Sequence, residues 1–329
     1  MKKRIIFIII TISIISSLFI TNTLGHVNKA KNELNIKEEN DVEAQWYFLP
    51  SYENYAPSGL PDFDQRQQKD WNYLDKIPYS FCGPASLANV LWWFDSKNSE
   101  QAGFPGDGND TYSLVRKYHS NDLPGFFADD HDFNNVNDVN TPWIQKKNNI
   151  ELIEKIAWYS NINWFKTPFI SRAGMIPLQM KFGLKRILLD SHLFFNYKIR
   201  IYHRPSFSLI YDSIKNNKGV VLQLALYVPG LNEKGYGFGH YVSVAGVNRY
   251  GGIALSDPYY DIDNPLEKKE DYTNHNNASN VSHDKYYISY DSPFQIFSDW
   301  WLPDYPMDEG ALIFSAIIIS QNNFRFFRR

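Results

Sequence analysis

The order of its apolar segments limits the fold of this chain more than any other feature. One strongly apolar helix candidate, residues 83–94 (GPASLANVLWWF), comes early. Two more helices are expected at about 149–160 and 206–217. The pattern then changes to strands at 219–228 (GVVLQLALYV), 240–247 (HYVSVAGV) and 252–256 (GIALS), the last two joined by a turn at 248–251. The run at 311–320 (ALIFSAIIIS) is only ten residues long, too short to cross a bilayer as a helix, and reads as a buried terminal strand. Helices first and a run of strands afterwards point to an α+β fold with an antiparallel sheet.

The N-terminus reads as an export signal over residues 1–25. Lys2, Lys3 and Arg4 precede sixteen apolar residues at 5–20, and Thr23-Leu24-Gly25 places small residues where a signal peptidase inspects them. An uncleaved anchor is the rival, because a span needs about 20 apolar residues. No Cys follows the run, which excludes a lipoprotein anchor. Either way the remainder is expected outside the cytoplasm.

Residues 26–59 are expected to be a linker or N-terminal extension, polar at first and then aromatic and Pro-punctuated. The main domain is expected at 60–320, with a Gly/Asp/Asn-rich insertion at 96–142 that carries one short helix candidate at 112–118. A basic tail, 321–329, closes the chain. The formal net charge is −3, and the leader's three cations make the remainder more acidic still, so a nucleic-acid partner is not expected. Membrane contact is expected only through the N-terminal segment.

The chain has a single cysteine, Cys82. Exported proteins use cysteines in pairs, and a lone thiol outside the cell is open to oxidation. One Cys closes no intramolecular disulfide and finds no second Cys for a zinc site. Cys82 is therefore either an inert core residue or a nucleophile. Its position favours the second: it opens the apolar helix, where unpaired N–H groups and the positive end of the helix dipole stabilise a thiolate.

Two other stretches supply what such a nucleophile needs. In Gly237-Phe238-Gly239-His240-Tyr241 a histidine begins an apolar strand, and the flanking glycines leave room for a substrate backbone. Ser256-Asp257-Pro258 ends the next strand. In this reading Cys82 attacks, His240 takes its proton, and Asp257 orients and stabilises the imidazole. The intervening turn decides whether these meet. Centred between Asn248 and Arg249, it sets Asp257 opposite His240; centred on Tyr250-Gly251, it sets Asp257 opposite Val244, about 13 Å along the strand. A turn residue before Pro258 is the plainer reading of Asp257.

With Cys, His and Asp in that order, the sequence resembles papain-clan cysteine peptidases. The likeness is greatest to the bacteriocin-processing (double-glycine leader) peptidases and their stand-alone exported relatives. It covers about residues 60–95 and 206–260. It implies a papain-like fold and a cysteine peptidase acting on a peptide or protein substrate, with no cofactor and no metal. It also implies an oxyanion glutamine upstream of the cysteine, for which Gln65 in Leu60-Pro61-Asp62-Phe63-Asp64-Gln65 is the choice and Gln67 and Gln68 are substitutes. Gly239 and Gly83 are the substrate-binding positions. The position six residues before Cys82, where many papain relatives have the glutamine, is Lys76.

Two rivals accompany this reading. Cys82-Gly83 followed by Ala85-Ser86-Leu87 also resembles the active-site run of phytochelatin synthase-type transpeptidases, which implies acyl or γ-glutamyl transfer. A non-catalytic binding module on the same scaffold is the other. The acidic clusters 107–110 and 129–132 lie in the insertion and read as solvated loop rather than as calcium sites.

Overall fold

The computed structural model describes residues 45–52, 59–63, 81–98, 114, 152–161, 175–227, 236–259, 284–291, 299–306 and 310–322. The chain divides into two units, Met1–Glu43 and Ala44–Arg329, and every described residue belongs to the second. The expected leader, Gln65 and its two substitutes, Lys76, both acidic clusters, and all but Leu114 of the helix candidate at 112–118 lie outside the described residues.

A helix that is apolar on every side must be covered on every side. The helix α1 (Cys82–Asn98) is such a case, buried from Cys82 to Ser96. It begins at the cysteine itself and runs four residues past the expected end. Helices α2 (Leu152–Tyr159) and α3 (Pro177–Asp190) stack outward from it: α1 packs on α2, and α2 packs on α3. Proline at the first position of α3 has no N–H to leave unsatisfied, and Gln179 Oε1 accepts the Ile176 N–H at 3.0 Å to close the turn. A further helix, α4 (Phe207–Lys215), is capped by Ser206, whose Oγ accepts the Leu209 N–H.

The inner side of α1 rests on an antiparallel sheet. In chain order its strands are β1 (Trp46–Phe48), β2 (Tyr197–His203), β3 (Gly219–Tyr227), β4 (Tyr236–Asn248), β5 (Gly252–Ser256), β6 (Asp284–Tyr287), β7 (Trp301–Leu302) and β8 (Ala311–Gln321). The hydrogen-bonded order is β2-β8-β3-β4-β5-β6, with β1 added to β4 and β7 to β8. The run at 311–320 is thus a central strand, and its residues are buried almost throughout. The architecture is α+β: four helices and eight strands among the described residues, every strand pair antiparallel. No helix among the described residues is long and apolar enough to cross a membrane.

The domain starts earlier than expected. Trp46, Tyr47 and Phe48 pair with Asn248, Val247 and Gly246, so part of the segment read as linker is a strand of the sheet. The insertion is fastened to α1 at Leu114, which is buried and donates its N–H to Asp95 Oδ1 at 2.5 Å.

Candidate active site

Two serines fix α1 against β4. The Ser86 hydroxyl donates to the Tyr241 carbonyl at 2.9 Å, and the Ser243 hydroxyl donates back to the Ser86 carbonyl at 2.8 Å. Gly219 lets the helix lie close to β3, because a Cβ there would stand 2.2 Å from Val90 Cγ1 and 3.1 Å from Phe94 Cε2. These contacts set the position of the helix start, and with it Cys82, relative to the residue before Tyr241, which is His240.

Within α1 the hydrogen-bond ladder opens with the Ala85 N–H donating to the Phe81 carbonyl at 2.9 Å. The N–H groups of Cys82 and Gly83 precede that first bond and have no carbonyl one turn back in the helix, and Pro84 carries no N–H. The cysteine thus stands at the positive end of the helix, beside its first unladdered N–H groups.

His240 is the second residue of the site. Its Nε2 lies 2.7 Å from Asp257 Oδ1, with both side chains buried. That leaves Nδ1 for Cys82, the other group that acts on the ring by side-chain hydrogen bonding and by charge. Burial alone would lower the pKa of this imidazole. The charge and hydrogen bond of Asp257, joined by those of Cys82, outweigh burial and push it up to about 10. A pKa raised in this way favours the imidazolium.

The register that makes this possible is neither of the two expected. Val247 pairs with Ile253, a bulge passes over Ala245, and the ladder resumes with Val244 opposite Leu255 and Ser243 opposite Ser256. One residue further, this register sets Asp257 across from Val242, two positions from His240 and on the same face. The turn is held by Asn248, whose Oδ1 accepts the N–H groups of Tyr250 and Gly252, and by Gly251 at φ +90°.

Asp257 is also the turn residue of the plainer reading. Its Oδ1 accepts the Tyr259 N–H at 2.9 Å, an Asx turn that fixes the carboxylate while the same oxygen faces His240. Three tyrosines complete the surroundings and were not expected from sequence. Tyr305 donates its hydroxyl to Asp257 Oδ2. The Tyr259 ring stands edge-on to the imidazole at 6.5 Å. Tyr241 donates to the Met175 carbonyl at 3.0 Å, and burial together with the charge of Cys82 raises its pKa well above normal, so it stays a protonated donor. Tyr305 arrives on a segment whose only sequence signal is its aromatic and Pro content. Trp300 anchors that segment, donating Nε1–H to the Pro205 carbonyl at 2.6 Å.

The two glycines differ. Gly239 is exposed, and a Cβ there would meet Gln223 Nε2 and Leu224 O only at ordinary distances, 3.8 and 3.9 Å. Gly83 is buried, and its missing Cβ makes way for Met175 Cε at 2.7 Å. Packing takes that side of Gly83. Gln65 lies outside the described residues. The segment leading to it is held at α1, with the Phe63 N–H donating to Asn89 Oδ1 at 2.9 Å and the Phe63 ring edge-on to Trp92.

Among the described residues no group of three His, Cys, Asp or Glu side chains could hold a metal ion. No protein-family model matches the chain, and no curated protein matches it.

Proposed function

We propose that this chain is a cysteine hydrolase with a papain-like catalytic arrangement, acting outside the cytoplasm on amide bonds of a peptide or protein. The observation that carries the reading is the continuous side-chain path from Cys82 through the buried His240 to Asp257, with the ring 2.7 Å from the carboxylate.

The chemistry follows from that path. The thiolate is the attacking form of a cysteine, and a helix start with a proton-holding imidazole beside it is the setting such a nucleophile uses. His240 is then first an acid rather than a base. The thiolate adds to the substrate carbonyl carbon and its π electrons move to oxygen. The N–H groups of Cys82 and Gly83 stabilise the oxyanion, with Gln65 as the proposed side-chain donor. As the tetrahedral carbon collapses, the C–N bond breaks and His240 Nδ1–H protonates the leaving amine. The neutral imidazole next removes a proton from water, which attacks the thioester, releases the acid and restores the ion pair. Asp257 keeps the ring oriented and its charge compensated through both steps. The bare edge at Gly239 leaves room for a substrate backbone.

The test is product formation from a mixed peptide pool. The wild-type chain is expected to generate new amino termini and Cys82→Ala none. New termini from both proteins, or from neither, would remove the hydrolase reading. Wild-type products that form only when an added amine is present would replace it with acyl transfer.

A further inference from the structure

Away from the site, α3 is apolar on two sides. Its inner side buries Met180, Gly183, Leu184, Ile187 and Leu188. Its outer side presents Leu178, Phe182 and Leu189, of which Leu189 is 63% exposed. At 100° per residue these three fall within a band about 40° wide. Lys181 and Lys185 flank the band on one side and Arg186 on the other. Beyond the two lysines lies a groove of about 620 Å³, where Phe194, Phe195 and Lys198 continue the same surface. Phe195 is 77% exposed, and Lys185 Nζ stands 6.0 Å over the Phe194 ring.

The charge here runs against the rest of the molecule. Between Met175 and Ile201 the sequence carries Lys181, Lys185, Arg186, Lys198 and Arg200 against Asp190 alone, in a chain whose net charge is −3. A solvated helix face would not combine leucine and phenylalanine with this charge, and a core-facing one would not keep the cations.

We propose that the outer face of α3, with Phe195 and Lys198, docks on the anionic surface of a lipid bilayer. Apolar side chains on a convex ridge enter the acyl boundary, and flanking Lys and Arg extend their charged ends to lipid phosphates. A peptide partner would need a groove under the leucine and phenylalanine band, whereas the groove lies beside it, among the lysines. The inference is independent of the reading of Cys82 and of residues 1–25.

The test reports from the patch itself, so that the apolar N-terminal segment cannot supply the signal. In the full chain carrying Cys82→Ser, Phe195→Cys is labelled with an environment-sensitive dye, and Asn216→Cys, an exposed position at the end of α4, serves as control. Phosphatidylglycerol vesicles are expected to blue-shift the dye at 195 and not at 216. Raised salt should reverse the shift, and phosphatidylcholine vesicles should not produce it. Lys181→Glu with Lys185→Glu should raise the lipid needed for half the shift by at least about 25-fold, at about fivefold per lysine removed. No shift with phosphatidylglycerol, or an equal one with phosphatidylcholine, overturns the proposal. So does a shift produced by poly-glutamate without lipid, which would make the face a dock for acidic peptides.

Discussion

His240 and Asp257 meet at 2.7 Å although they are not cross-strand partners. The ladder between β4 and β5 pairs Ser243 with Ser256, and the carboxylate reaches the ring from two positions along. The offset delivers it to the far nitrogen, Nε2, and leaves Nδ1 for the sulfur.

Asp257→Asn should uncouple the ring from its charge. The amide oxygen can still accept from Nε2–H, but the largest influence that opposes burial is removed and only Cys82 is left to offset it. The His240 pKa is expected to fall from about 10, read by NMR titration of the ring. Hydrolysis should drop on the order of 10²-fold or more. An unchanged titration would show that Asp257 does not set the protonation state.

The alkaline limb has a definite sign. Above about pH 10 His240 loses the proton it gives to the leaving amine, so hydrolysis should decline there while alkylation of Cys82 by iodoacetamide does not. Stability moves in the same direction. The folded pKa is raised above 6.5, so this group's contribution is complete below about pH 6.5 and is lost as pH rises to about 10. Denaturation of wild type and His240→Gln across that window should show the difference shrinking.

Tyr305→Phe keeps the ring that packs on Tyr286 and removes the hydroxyl from Asp257 Oδ2. A fully buried carboxylate oxygen loses a charge-assisted bond, so unfolding free energy should fall by about 1.5–3 kcal/mol. Denaturant midpoints measure this. The His240 titration in the same variant separates positioning from packing: an effect through Asp257 shifts it, and a purely structural one does not.

Gly219→Ala places a methyl against Val90 and Phe94 and pushes α1 off the sheet. Overpacking of this kind costs about 1–3 kcal/mol. Because α1 carries Cys82, alkylation of the thiol should slow as well. Stability loss with unchanged alkylation would mean that the helix start does not depend on this seat.

Much of the fold was legible because periodicity reports burial. The late strands and the apolar helix appear within a few residues of their expected limits, and β5 matches at both ends. The helix α3 is not marked by a single apolar stripe, because its outer face is apolar too, and Gly183 interrupts it. The strand β2 does carry the alternation Tyr197, Ile199, Ile201 that a period of two would find. For the site, Cys82, His240 and Asp257 were legible from their local settings, but their meeting was not. It depends on a bulge at Ala245 that no composition signal marks. Tyr305 is further still from sequence reasoning, since it reaches Asp257 from 48 residues away.

The rate of Cys82 carbamidomethylation by iodoacetamide against pH tests most directly whether the sulfur beside His240 is charged. A rate already high at pH 5–6 and nearly flat to pH 8 is predicted, with His240→Gln restoring the dependence of an ordinary thiol, whose pKa is about 8.5. A wild-type profile that climbs only towards pH 8.5 and is unaltered by His240→Gln would contradict it.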